Sequence, residues 1–222
     1  MGAILLIALV YVGYGYFNQV SWPALGSALV HTTYRLLLAY AVALVIGVPI
    51  ALLVGWSRYV DFFFPFFDIL QNIPSFALIP LFIFFLGNTD TMIVLFSMSS
   101  IIWPILFAIL TAIKNAHQDL NDAATIFGAT GVRRIPYYLA PLSFPAILTG
   151  SIVGIAIGWE SIIGAEIITD ASGFGAFISN AGAGGIDQSA VAGMIAILVL
   201  VFIVNRLVWA PLLAESSRRY SE

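Results

Sequence analysis

Apolar residues run along this chain in stretches too long for the core helices of a soluble domain, and short polar segments separate them. Five stretches read as membrane-crossing helices: Ala24 to Trp56, Phe62 to Leu86, Thr91 to Ile113, Phe144 to Thr169 and Ala190 to Leu213. The criterion is length, because a crossing takes about 20 consecutive apolar residues. A sixth stretch, Ala3 to Phe17, is short for a crossing. It is open to reading as a tilted first helix, an interfacial segment or the remnant of a longer one. It lacks a basic segment ahead of it and a small-x-small cleavage site, which favours a retained helix over a removable signal peptide. The pattern predicts an all-α polytopic membrane bundle of five to six transmembrane helices, with residues 1–222 forming a single transmembrane domain.

Composition strengthens this reading. The chain is 61% hydrophobic and 9% charged, with a mean hydropathy of +1.05, which leaves too little polar surface to cover a soluble globule. The absence of cysteine excludes disulfides and thiolate metal sites. No metal site and no nucleic-acid partner are expected. Orientation follows from the basic residues, since short cytoplasmic loops carry the excess of Lys and Arg. Arg58, Lys114, Arg133, Arg134, Arg218 and Arg219 all fall on one side of the predicted topology. The opposite loops, 18–22, 87–90 and 170–189, contain no Lys or Arg. Both the long polar loop at about 114–141 and the C-terminus are therefore predicted to be cytoplasmic.

That loop is the one substantial polar interruption. It opens with KNAHQDLNDAA, where Asp119 and Asp122 lie early in a helix-favouring segment and suit its positive N-terminal end. Gly128 and Gly131 permit sharp bends, and GVRRIPYYLAP then carries Arg133 and Arg134 back toward the bilayer. One reading is a solvated loop with a short amphipathic helix. The other is a docking element, in which Ala123, Ala124 and Gly128 expose a compact small-residue surface with charges at its rim.

The spacing from Asp122-Ala123-Ala124 through Gly128 to Tyr138-Leu139-Ala140-Pro141 resembles the EAA signature of binding-protein-dependent ABC importer permeases, E-A-A-x3-G-x9-I-x-L-P. Three positions depart from it: Asp122 for Glu, Tyr138 for Ile and Ala140 for Leu. The runs HTTYRLLLAYAVALVIGVPIALLVGWS, QNIPSFALIPLFIFFLG and SIVGIAIGWESIIGAEIITDASGFGAFI are similar to the nitrate/sulfonate/taurine-type permeases. The resemblance implies a type I importer fold in a prokaryotic plasma or inner membrane. It also implies a cytoplasmic ATPase held by the coupling loop, with Asp122, Ala123, Ala124, Gly128, Arg133, Arg134 and Pro141 as coupling residues. An extracytoplasmic solute-binding protein would face the outer loop at 170–189, and a second permease copy or a homologous subunit would complete the pore. The implied solute is a small anion such as nitrate, a sulfonate or taurine. The chain has no G-x-x-x-x-G-K-[ST] motif, so ATP would be hydrolysed by the partner and no cofactor is expected in this chain.

Within the membrane runs, Gly150, Gly154 and Gly158 form a ladder on one helix face, best read as close helix packing. Glu160 and Glu166 each lie roughly 120° from the centre of that ridge, on opposite sides, and so face different neighbours. Intramembrane acids are functional candidates. Glu166 matches an acid position of the family and reads as structural, while Glu160 is the better candidate for pore chemistry. Counting about 20 residues back from Trp56 places Arg35 at the outer boundary of the hydrocarbon core. Glu166 lies at similar depth, so Arg35 either pairs with it or snorkels to the headgroups. Pro74 and Pro80 are predicted to kink their run, with Gln71 and Asn72 beside the first kink as candidate solute contacts. The phenylalanines of 62–67 suit an inner-interface anchor.

Two other classes compete. A stand-alone secondary transporter or channel would use Glu160, Glu166 and Arg35 as a relay, but leaves the EAA spacing unexplained. An intramembrane serine protease would need His31 or His117, which the topology puts near opposite membrane surfaces.

Overall fold

The computed structural model describes residues 21–57, 59–182 and 188–220, so the stretch 3–17 lies outside the described residues. The first described helix, α1 (Trp22–Trp56), starts with a proline in its first turn and stops where Ser57 turns extended. A short α2 (Val60–Gln71) is followed by a 3-10 turn at Ser75–Leu78 that leads into α3 (Ile79–Leu86). Next come α4 (Asp90–Lys114), the loop helix α5 (Gln118–Ile126) and the long α6 (Ala140–Thr169), which a π-helical turn at Ile135–Leu139 precedes. After α6 come α7 (Phe174–Gly182) and α8 (Gln188–Val204), which a second π-helical turn joins to α9 (Ala210–Tyr220).

Helix α4 is the centre of the bundle and packs against both α1 and α6. It brings the large side chains, with Met92, Ile93, Phe96, Ile101, Ile105 and Ile109 all fully buried. Its two neighbours bring small ones. On α1, Ala39, Ala43, Gly47 and Ala51 recur every fourth residue on the buried face. A Cβ on Gly47 would come within 2.8 Å of Ile102. On α6, a Cβ on Gly150 would lie 2.7 Å from the Pro104 carbonyl, and one on Gly154 would lie 3.0 Å from that of Ile101. The glycine ladder is thus a packing surface, as expected. Without a hydrophobic force between helices in lipid, such close backbone approach is what holds them together.

Four helical spans are long and apolar enough to cross a membrane: Trp22–Trp56, Asp90–Lys114, Gly131–Thr169 and Gln188–Ser216. The α2 and α3 halves pass the same test jointly but are bent by 80° at the break between them. Two contacts show that this broken element runs from one end of the bundle to the other. At one end Lys114 Nζ, in the last turn of α4, lies 2.8 Å from Asp61 at the start of α2. At the other, just past α3, the Asn88 side-chain amide donates to the Thr169 carbonyl at the close of α6. The protein is therefore a multi-pass membrane protein with up to five crossings among the described residues.

The sequence expectations need two corrections here. Only Pro74 stands at a break, whereas Pro80 occupies the first turn of α3, where a missing N–H costs no helical hydrogen bond. The span predicted from Phe144 begins at Ala140, because Pro141 and Pro145 are accommodated within a helix that starts with a π turn.

Candidate functional site

Polar chemistry gathers in three places: at the end of the bundle where α6 terminates, at the α2/α3 break, and on the loop between α4 and α6.

At the first, Glu166 is completely buried three residues before α6 ends. Its Oε1 lies 2.6 Å from Arg35 Nη1. The Thr32 hydroxyl donates to the carboxylate at 2.9 Å, and the Gly175 N–H donates to Oε2 at 2.9 Å. Every partner is a donor, the set that an acceptor-only carboxylate needs. Thr32 Oγ1 in turn accepts the Phe174 N–H at 2.8 Å. Arg35 also donates to the Ser172 carbonyl at 2.5 Å and to Asp90 Oδ1 at 2.5 Å. Asp90 is the open side of this knot, with its side chain 76% exposed against 6% for Arg35.

The backbone is shaped to admit these contacts. Asp170 closes α6 in the left-handed conformation at φ 53, so that the chain doubles back and the Ala171 N–H reaches the Glu166 carbonyl. A Cβ on Gly173 would run into the Glu166 carboxylate, so only glycine fits there. One buried carboxylate thereby fastens α1, α6 and α7, and the guanidinium adds α4.

At the break, a cleft of about 350 Å³ is lined by Gln71, Ser75, Ser99, Ser100 and Trp103 among Leu70, Leu78, Phe82 and Ile157. Ser100 is 6% exposed, and its hydroxyl has no hydrogen-bond partner among the described residues. Ser99 donates to the Phe96 carbonyl, and the Gln71 amide donates to Asp68 at 2.7 Å. Asn72 does not line the cleft. Its amide caps α2 by donating to the Asp68 carbonyl, so the structure separates the two amides that the sequence places together.

Glu160 lies apart from the knot. Its side chain is exposed, in a stripe of α6 that also carries the exposed Val153, Ala156 and Ile167. It stands one turn beyond Ile157, which lines the cleft. Nine residues before Thr169, it is about 14 Å from the end of α6 and hence near mid-membrane. Facing lipid there would cost about 2.5 to 3.5 kcal/mol. This face therefore belongs against protein or a water-filled path.

The third place is the 114–141 loop. Helix α5 ends with the Gly128 N–H bonded to the Thr125 carbonyl and the Ala129 N–H to the Ala124 carbonyl, a Schellman closure that Gly128 permits at φ 80. Gly131, at φ 55, supplies the second bend. Asp122 is exposed, as are Arg133 and Pro141. Arg134 instead binds the Asn121 side chain and covers the Tyr138 ring.

The expectation of an exposed alanine surface is corrected. Ala123 and Ala124 are half-buried, and Ala124 packs with Ala129 and Ile135 onto the core. The exposed crest is apolar and large instead, with Ile126 at 82% and Phe127 at 89%. A groove of about 560 Å³ runs beside it between Leu120, Ala124, Gly128, Arg133 and Tyr137.

His31 and His117 are both exposed at opposite ends of the bundle, His31 beside Thr32 at the knot end and His117 at the N-cap position of α5 at the other. Among the described residues no group of three or more metal-ligating side chains is found.

The sequence pattern of one protein family, described as the binding-protein-dependent transport system inner membrane component, matches residues 43–210. Three relatives illustrate the similarity. The taurine transport system permease protein TauC of Escherichia coli is 26% identical over 86% of this chain and 68% of its own length. The nitrate import permease protein NrtB of Leptolyngbya laminosa is 25% identical over 92% of this chain and 72% of its own. The bicarbonate transport system permease protein CmpB of Synechococcus elongatus is 26% identical over 66% of this chain and 54% of its own. All three are named as transport permeases and none as an enzyme.

Proposed function

The chain belongs to the family of binding-protein-dependent transport system inner membrane components, the permeases of ABC importers, and from that premise we propose that its 114–141 loop docks a cytoplasmic ATPase. The observation that carries this reading is the crest of α5. Ile126 and Phe127 are the most exposed large apolar side chains of the chain's described residues, and they stand on a polar loop outside the crossing helices. A groove edged by Arg133 adjoins them. An exposed apolar crest rimmed by charge is the anatomy of a docking surface. The loop and the C-terminus are cytoplasmic in this reading, as the basic residues require. The opposite end, with Asp90 and α7, faces a solute-binding protein, and a second permease copy or homologous subunit covers the face that carries Glu160. ATP is hydrolysed by the partner.

The solute in this reading is a small anion, as the printed names of the relatives suggest for those proteins. An anionic solute is compatible with Glu166, which is enclosed and paired with Arg35 rather than facing the cleft.

Phe127→Asp tests the docking. The variant should insert and purify normally, lose co-purification with its partner ATPase, and lose ATP-driven uptake in proteoliposomes. Retained ATPase binding and retained uptake would remove this reading.

A further inference from the structure

We propose, resting on the permease reading above, that a second copy of this same chain completes the pore, and that Glu160 of each copy pairs with Arg206 of the other inside the membrane.

Arg206 stands in the π-helical turn between α8 and α9, within the crossing span Gln188–Ser216. Its side chain is exposed, as are those of Asn205, Leu207 and Val208 around it, while Trp209 turns inward against Tyr40. Arg35 and Arg206 are the two cations set in the interior of the described spans rather than at their ends. Arg35 is taken up by the knot, whereas neither Arg206 nor Glu160 forms a hydrogen bond or ion pair among the described residues. A guanidinium does not lose its charge in a protein, and an intramembrane charge facing lipid is costly. Both side chains are therefore left for a counter-charge that the described chain does not supply.

Helix α1 is a common ruler for their depth. A Cβ on Gly158 of α6 would lie 2.7 Å from Leu36 Cδ1, so Gly158 is level with the Leu36 side chain. Glu160 is about 3 Å further toward the knot. On α1, Tyr40 lies about 6 Å past Leu36 in the direction away from the knot, and its ring meets that of Trp209 at a centroid distance of 6.4 Å. Helix α8 starts at the knot end, where a Cβ on Gly193 would lie 3.3 Å from the Phe174 ring. Arg206 thus precedes Trp209 by about 4.5 Å on the knot side. The Cα positions of Glu160 and Arg206 fall within about one helical turn of the same depth. Side chains on a helix tilt toward its N-terminus. Because α6 begins at the loop end and α8 at the knot end, Glu160 tilts inward and Arg206 outward, each toward the depth of the other.

A two-fold axis normal to the membrane keeps every residue at its own depth in both copies and makes the contact isologous, so that the pair forms twice. This self-complementarity selects an identical copy, since one chain already carries both members. The exposed Val153 and Ile167 beside Glu160, and Leu207 and Val208 beside Arg206, close around the pairs and keep lipid from them.

The chain contains no cysteine, so introduced thiols are the only ones present. Two differently tagged versions of the full chain, one with Glu160→Cys and one with Arg206→Cys, are co-expressed in membranes and treated with a short bifunctional thiol reagent. In the mixed dimer the thiols replace one of the two symmetry-related pairs and the other stays intact. A cross-linked dimer should form from the mixture and from neither version alone. In detergent, Glu160→Arg and Arg206→Glu should each weaken dimerisation at least about tenfold, because like charges then meet, and the double reversal should restore it. Absence of the mixed cross-link overturns the proposal, as does a double reversal that inserts but dimerises no better than the single variants. Where the reversed chains fail to insert, the cross-link decides. Co-purification of the ATPase is read in the same preparations. If it persists without the cross-link, the pair fails and the permease reading stands. A mixed cross-link in a chain that binds no ATPase would support the pair and sink the permease reading.

Discussion

The knot around Glu166 and the loop at 114–141 contain similar side chains, and the protein treats them in opposite ways. In the knot, a carboxylate and a guanidinium are withdrawn from solvent, and each finds its partners inside the same chain. On the loop, Asp122 and Arg133 stay exposed beside Ile126 and Phe127, apolar groups that nothing among the described residues covers. The first arrangement stabilises the fold, because four helices depend on one set of hydrogen bonds. The second contributes little to the fold and leaves its contacts for another molecule. Polar residues in a membrane protein thus sort by whether the chain itself completes them.

Substitutions that break this contrast should lower thermal stability in a graded order. Arg35→Gln has the largest expected effect, since it leaves Glu166 buried beside no cation. Breaking a buried pair by removing one partner costs about 3 to 5 kcal/mol. Melting in detergent should show a large fall in Tm. Glu166→Gln should cost less, because Arg35 keeps Asp90 and the Ser172 carbonyl. The double variant should recover part of the loss, and strictly additive losses would show that the two side chains do not interact.

Gly175→Ala comes next. An added Cβ would lie 2.5 Å from the Ile163 carbonyl and 2.6 Å from Glu166 Cβ, so α7 must move away from α6. Overpacking of this kind costs about 1 to 3 kcal/mol, and a Tm equal to wild-type would mean that α7 is not held against the knot. Asp90→Asn should cost less than any of these, about 1 kcal/mol, because the Asp90 carboxylate is open to solvent and Arg35 keeps Glu166, and the loss should shrink in high salt. Last is Phe127→Asp, which should change stability by no more than about 0.5 kcal/mol, the usual range for surface sites. A large destabilisation there would mean that the crest packs within the chain and would erase the contrast.

The sequence reveals some of this more readily than the rest. Arg35 and Glu166 can be brought to one depth by counting, because the rise per residue of a helix is fixed. Their companions are harder to see. Thr32 lies one turn before Arg35 on the same face, and Asp90 opens the next helix at that end, but neither is unusual as a residue. The expected break at Pro74 is found, yet its 80° angle depends on packing against α4 and α6. The small-residue stripe of α1 is hidden by chemistry, since alanine reads as one more apolar residue in a span. The alanines of α5 suggest a surface for close approach by another molecule, but Ala124 makes part of that approach to the chain's own core.

The break between α2 and α3 also sets how force can travel through the molecule. Helix α6 is continuous over 30 residues, from the end of the 114–141 loop to the knot, and is stiff along its axis. The α2/α3 element joins the same two ends but is interrupted by an 80° elbow halfway. A displacement applied at the loop is therefore delivered along α6 as a strut, while α2 and α3 absorb it by changing their angle. The wall of the cleft lies across that elbow, so any difference in travel between the strut and the elbow changes the width of the cleft first.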